Sequence, residues 1–131
     1  MKSLSQEWLK AAQDDLAVIE KIIHEASLAH MVAFHAQQCI EKSLKAIGEE
    51  RSLELPKIHK LKTLTERIGI DLSGFDHAED YLHLLDELYI ESRYPGDFGL
   101  LPNGKPTLED AQEFYHFAKS VYSNVQNALN Q

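Results

Sequence analysis

Apolar side chains recur at every third or fourth position through most of this 131-residue chain, and polar side chains fill the positions between them. This spacing is typical of helices that bury one face. It predicts helices at about residues 4–25, 28–49, 60–68, 76–92 and 107–129. We therefore expect an all-α fold, an antiparallel up-and-down helical bundle of four long helices plus one short helix, in a single domain over residues 1–131.

Local signals mark the ends of several predicted helices. Ser3 followed by Gln6 fits a capping box at the start of the first helix, and Thr107 followed by Asp110 fits one at the start of the last. Gly69 is expected to end the short helix, because glycine readily takes the left-handed conformation of a C-cap.

The first two helices are expected to divide polar from apolar residues differently. In the first, the charged residues lie opposite the apolar stripe, on the solvated side: Asp14, Asp15, Glu20 and Lys21. In the second, a narrow band of polar residues runs between apolar positions: Gln37, Gln38, Glu41, Lys42 and Lys45. That band is narrow enough for some of its members to be half-buried, against another helix or a second chain.

Three segments, in this order, resemble the motifs of the HEPN family: residues 34–46 (FHAQQCIEKSLKA), 58–61 (IHKL) and 89–95 (YIESRYP). The resemblance extends from about Trp8 to Leu129. HEPN proteins are small helical domains found in prokaryotes beside minimal nucleotidyltransferases or fused to them. The resemblance implies a helical fold and a homodimer that buries faces of the second and fourth helices.

Arg93 and Tyr94 are the ligand-binding residues that this resemblance favours most, since the Arg-Tyr-Pro position is a hallmark of the family. Arg93 follows a predicted helix end and precedes a stiff Tyr94–Pro95 pair, so the backbone directs its guanidinium. The planar guanidinium suits phosphate or carboxylate. The resemblance also implies that the two Arg93 loops of a dimer lie near one cleft. On the residues alone, Arg93 could instead cap the preceding helix or pair with Asp86 or Glu91.

His59 precedes the short helix and is the second candidate for contact with a ligand or for proton transfer, because histidine changes charge near neutral pH. Its alternative role is an N-cap or a packing residue of the loop.

A third candidate group lies on the second helix, where His35, Gln38, Lys42 and Lys45 are successive helical neighbours. Lys42 or Lys45 could hold an anion such as a nucleotide phosphate, with Gln38 as a neutral donor. The alternative is that Glu41 and Lys45 form an ordinary surface pair and that Gln38 bonds across a helix interface.

Composition limits the partners. A formal net charge of -8 argues against a general electrostatic surface for nucleic acid, but it permits a local basic pocket and a basic protein partner. The one cysteine, Cys39, is expected to be a small buried side chain. The first residues lack the apolar run of a signal peptide and no stretch is long enough to span a membrane, so we expect a cytoplasmic protein. Neither the histidine spacing nor the glycines predict a metal site or a cofactor.

The pattern of catalytic residues departs from that of the family's ribonucleases. Many HEPN proteins resemble metal-independent ribonucleases, in which four to six residues separate an arginine from the histidine that follows it. Here Arg93 is followed by no histidine as far as Leu100, so we assign no catalytic residue. We expect a module that binds a nucleotide or nucleic-acid end, or that partners a minimal nucleotidyltransferase in a toxin–antitoxin or defence-type gene pair. The alternatives are a metal-independent RNase toxin with a degenerate motif and a non-catalytic helical adaptor.

Overall fold

The computed structural model of the protein describes residues 1–57, 59–91 and 104–130. Five α-helices occur in these residues: α1 (Ser3–Ile22), α2 (Ala29–Glu50), α3 (Leu61–Ile68), α4 (Ala78–Glu91) and α5 (Leu108–Leu129). A 3-10 turn, Ala26–Leu28, joins α1 to α2, and no strand occurs in the described ranges. The predicted helical bundle of four long helices and one short helix is confirmed. None of the described helices is long and apolar enough to cross a membrane.

Helix α2 is the centre of the bundle, because it packs against α1, α3, α4 and α5. The largest core side chains come from all five helices and are fully buried: Phe114, Ile19, Ile40, Leu44, Ile47, Leu61, Leu64, Leu82 and Leu85. Burying one such side chain stabilises a fold by about 1.5–3 kcal/mol relative to leaving it exposed. These contacts fix α2 on most of its circumference. The remaining strip carries the polar band, in which Gln37 and Glu41 are buried while Gln38, Lys42 and Lys45 are half-buried.

The capping signals were right at α5 and wrong at α1. Asp110 and Thr107 form the predicted reciprocal capping box, with hydrogen bonds of 2.8 and 3.1 Å. Ser3 already lies inside α1, and no side chain caps the helix. A tertiary contact anchors this end instead, since the backbone N–H of Lys2 donates to Oε1 of Glu50 on α2 at 2.7 Å.

Two predicted boundaries were also wrong by a few residues. Helix α1 ends at Ile22 rather than near residue 25, because the chain must turn there into α2. Helix α4 begins at Ala78 rather than at residue 76, because His77 has a positive φ of 60° and cannot continue a right-handed helix. Gly69 ends α3 in the left-handed conformation, as predicted.

The segment after α2 folds back onto that helix at Gly48. A Cβ atom at Gly48 would lie 2.5 Å from Cδ1 of Leu55. The absence of a side chain therefore lets Leu55 pack directly on α2 and brings residues 53–57 beside α1.

Candidate functional site

Glu41 lies at the centre of a polar cluster on α2, although its side chain is only 4 % exposed. Oε1 of Glu41 lies 2.8 Å from Nδ1 of His59, and Oε2 lies 3.4 Å from Nζ of Lys45. A buried carboxylate costs free energy unless donors or opposite charges satisfy it, and these two side chains do so. Because Nδ1 faces Glu41, Nε2 lies at the opposite edge of a His59 side chain that is 52 % exposed.

The backbone around His59 is also fixed by neighbouring helices. Nε2 of Gln37 donates to the backbone oxygen of His59 at 3.0 Å, and Nε2 of Gln38 donates to Oε1 of Gln37 at 2.8 Å. On α4, both carboxylate oxygens of Asp86 accept the N–H of Leu61, at 3.1 and 3.0 Å. Asp86 thereby caps α3 from a different helix, and desolvation raises its pKa above the ordinary value.

Three aromatic rings lie side by side next to this cluster. Phe34 on α2 stacks on Tyr89 of α4, with centroids 5.5 Å apart and an interplanar angle of 24°. The ring of His59 lies 5.7 Å from that of Tyr89. We call Phe34, His59 and Tyr89 the aromatic platform. Phe34 and Tyr89 are half-buried and His59 is exposed, so the platform lies at the protein surface rather than in the core.

A second buried carboxylate, Asp15, joins α1 to α2. It was predicted on the solvated side of α1, and this was wrong, because α2 crosses α1 at that point and leaves Asp15 only 6 % exposed. Oδ1 of Asp15 lies 2.8 Å from Nδ1 of His35, and Oδ2 accepts a 2.8 Å hydrogen bond from Nζ of Lys42. Each of the two lysines of the polar band therefore neutralises a buried carboxylate.

The predicted ligand-binding residues on α2 do lie along one strip, but contacts within the chain already engage them. Lys42 pairs with Asp15 and Lys45 with Glu41, while Gln38 bonds within its own helix rather than across an interface. The structure brings Lys45 and His59 together through Glu41. Arg93 and Tyr94 lie outside the described residues.

Residue spacing alone did not single out Glu41, Asp15 and Tyr89 as parts of the site. The signal for Glu41 was present, since it lies four residues before Lys45 in a narrow polar band, but that spacing is equally compatible with an ordinary surface pair. Asp15 gave no signal, because its position in the sequence is equally compatible with a solvated face.

Cys39 is buried, and burial raises the pKa of its thiol to about 12. A thiol with that pKa is not ionised near neutrality and is a poor nucleophile, as expected for a packing residue. Within the described ranges, no three His, Cys, Asp or Glu side chains are grouped so that they could hold a metal ion.

The sequence profile and the fold identify the class of protein. The HEPN domain profile matches residues 5–128, and the chain therefore belongs to the HEPN family. Its structure is similar to the crystal structure of ST0689, an archaeal HEPN homologue, with a TM-score of 0.70 and 24 % sequence identity over 98 % of each chain. At this identity the likeness concerns the fold alone. No curated protein is a significant match to the sequence.

Proposed function

We propose that this HEPN domain binds a nucleotide or a nucleic-acid end at the aromatic platform. One observation carries the proposal: His59 is held by buried Glu41 with its outer edge in solvent, next to the stacked rings of Tyr89 and Phe34. Aromatic rings stack on nucleobases without regard to sequence, and a fixed imidazole can donate to a phosphate oxygen.

The local charge supports an anionic ligand despite the acidic chain. Glu41 is compensated by Lys45, so it presents little net negative charge beside the platform. The proposal also includes Arg93 and Tyr94, which the sequence predicts as phosphate-binding residues and which follow Tyr89 closely along the chain.

The direct test is fluorescence anisotropy with a labelled single-stranded oligonucleotide, with ATP as an unlabelled competitor and the salt concentration held constant. We expect His59→Ala and Tyr89→Ala each to weaken binding by about tenfold, because each removes a stacking surface. The matched control is His116→Ala, since His116 is an exposed histidine on a different helix, α5. Equal affinity of wild type, His59→Ala and Tyr89→Ala would contradict the proposal.

The same proposal includes a homodimer. Ile90 follows Tyr89 on α4 and is 52 % exposed, so a charge placed there would face a second copy that packs beside the platform. Light scattering should give a dimer mass for the wild type and a monomer mass for Ile90→Lys. Co-expression with a minimal nucleotidyltransferase encoded beside the gene would test the expected protein partner, since a basic enzyme suits an acidic chain.

The ribonuclease alternative is tested separately, by incubating the purified protein with RNA in EDTA. Cleavage that is lost in Arg93→Ala would support a ribonuclease with a degenerate motif. Intact RNA at concentrations where the dimer is present supports a binding module.

A further inference from the structure

A concave surface adjoins His59 on the side toward α1. It is a cavity of about 470 Å³ between α1, the end of α2 and the segment that follows α2, and its lining includes Trp8, Leu4, Leu53, Lys45, Lys57 and His59. We call it the Trp8 groove. Its volume lies in the range of ligand-binding clefts, about 300–1,000 Å³.

The apolar part of the Trp8 groove is unusually open to solvent. Leu4 is 45 % exposed and Leu53 is 41 % exposed, and together they flank the half-buried ring of Trp8. Nζ of Lys45 lies 5.2 Å from the centroid of that ring. An aromatic ring and a cation thus face the same cavity, an arrangement that suits a flat ring joined to an anionic group.

Lys57 lies exposed at the rim of the Trp8 groove. Lys45, Lys57 and His59 line the groove and Glu49 is its acidic residue, whereas the chain as a whole carries a net charge of -8. Among the residues that the structure describes, no carboxylate forms an ion pair with Lys57, so none of them neutralises the charge of its ammonium group. Lys45 is already paired with Glu41, so Lys57 is the cation of the groove that can contact a phosphate.

His59 borders both the aromatic platform and the Trp8 groove. We propose that the Trp8 groove holds a second nucleotide of a single-stranded nucleic acid whose first nucleotide lies on the aromatic platform. The second base packs against Trp8 and the two leucines, and the linking phosphate lies between His59 and Lys57. This inference rests on the proposed function and specifies its ligand as an oligonucleotide of at least two residues rather than a free mononucleotide.

Trp8 is the one tryptophan of the chain, so its fluorescence reports directly on the groove. The experiment titrates the protein with UMP, the dinucleotide UpU and the tetranucleotide of uridine, with the corresponding deoxythymidine series beside them to separate RNA from DNA. We expect the di- and tetranucleotides to quench Trp8 and to bind about tenfold more tightly than UMP, as one added stacking contact implies.

Two variants test the assignment by anisotropy. Trp8→Leu should abolish the advantage of the longer ligands and leave UMP binding within about twofold of wild type, because UMP occupies the platform. Lys57→Gln should weaken the tetranucleotide and reduce the salt dependence of its binding, whereas the exposed Lys21→Gln on α1 should do neither. Since Lys57 is exposed, its variant keeps the test valid even if Trp8→Leu unfolds.

The outcomes separate this inference from the proposed function. One outcome is that ligands of every length bind with equal affinity and do not quench Trp8, while Tyr89→Ala still weakens UMP binding. That outcome would overturn the second subsite but would agree with nucleotide binding at the aromatic platform. Absence of binding by every ligand would overturn both.

Discussion

Nδ1 of His59 lies 2.8 Å from Oε1 of Glu41, a carboxylate whose side chain is only 4 % exposed. A residue in the segment before α3 is thereby held in one orientation by the central helix. The arrangement gives the chain an exposed imidazole ring of fixed position beside Tyr89, and the proposed nucleotide site depends on it.

Glu41 is expected to act on ligand binding through His59. Glu41→Ala removes the acceptor of Nδ1 and should weaken oligonucleotide binding about tenfold, which corresponds to one hydrogen bond to a charged group. Glu41→Gln retains an oxygen acceptor and should bind within about threefold of wild type. Anisotropy titrations check both variants, and circular dichroism checks that they fold. Wild-type affinity in Glu41→Ala would show that the orientation of His59 is unimportant.

Asp15 is expected to contribute to stability as a buried charge with two partners. Asp15→Ala should lower the free energy of unfolding by about 2 kcal/mol, because Lys42 and His35 are left partly desolvated without a counter-charge. Urea denaturation of Asp15→Ala, Lys42→Met and the double variant measures the coupling between the two residues. The double variant should lose less free energy of unfolding than the two single variants lose together. Lys10→Met, on the exposed face of α1, is the matched control; strict additivity would contradict the coupling.

Asp86 should make the protein less stable as the pH rises, whereas an ordinary salt-bridged carboxylate makes a protein more stable as the pH rises. Desolvation raises its folded-state pKa, so the native state binds the proton more tightly than the unfolded state does. Its contribution to the free energy of unfolding is therefore present below the ordinary pKa and is lost as the pH rises through the raised one. Asp86→Asn keeps an acceptor for the N–H of Leu61 and cannot ionise. Its stability relative to wild type should therefore increase as the pH rises through the raised pKa of Asp86.

Urea denaturation at a series of acidic to neutral pH values measures this difference for Asp86. Asp86→Ala should be about 1 kcal/mol less stable than Asp86→Asn at every pH, because the start of α3 then lacks its cap. Asp71 provides a comparison of opposite sign, since hydrogen bonds from Ser73 lower its pKa. A pH-independent difference between wild type and Asp86→Asn would refute the argument.

Cys39 should be inert toward thiol reagents in the native protein. Burial raises the pKa of its thiol to about 12, so at neutral pH almost no thiolate is present, and the side chain is inaccessible. The rate of modification by a disulfide reagent should therefore follow the rate or extent of unfolding as urea is added. Rapid stoichiometric labelling without denaturant would mean that the core near Ser43 opens readily.

The amino-acid sequence determined the helices of this protein, because helical periodicity and capping are local properties. The spacing of apolar residues gave all five described helices, and Thr107 and Gly69 mark two of their ends. The sequence motifs also indicated the HEPN family, which the profile match over residues 5–128 confirmed. The polar band on α2 was visible for the same reason, since it concerns neighbours along one helix.

Only the tertiary structure decided what faces that band. Asp15 is buried because α2 crosses α1, and Glu41 meets His59 across 18 positions of sequence. Phe34 stacks on Tyr89 because α2 and α4 pack together. Periodicity assigns a residue to a face of its helix, but it does not determine which other helix lies against that face. The site is composed of such contacts between distant segments, and the packing of the bundle around α2 brings them together.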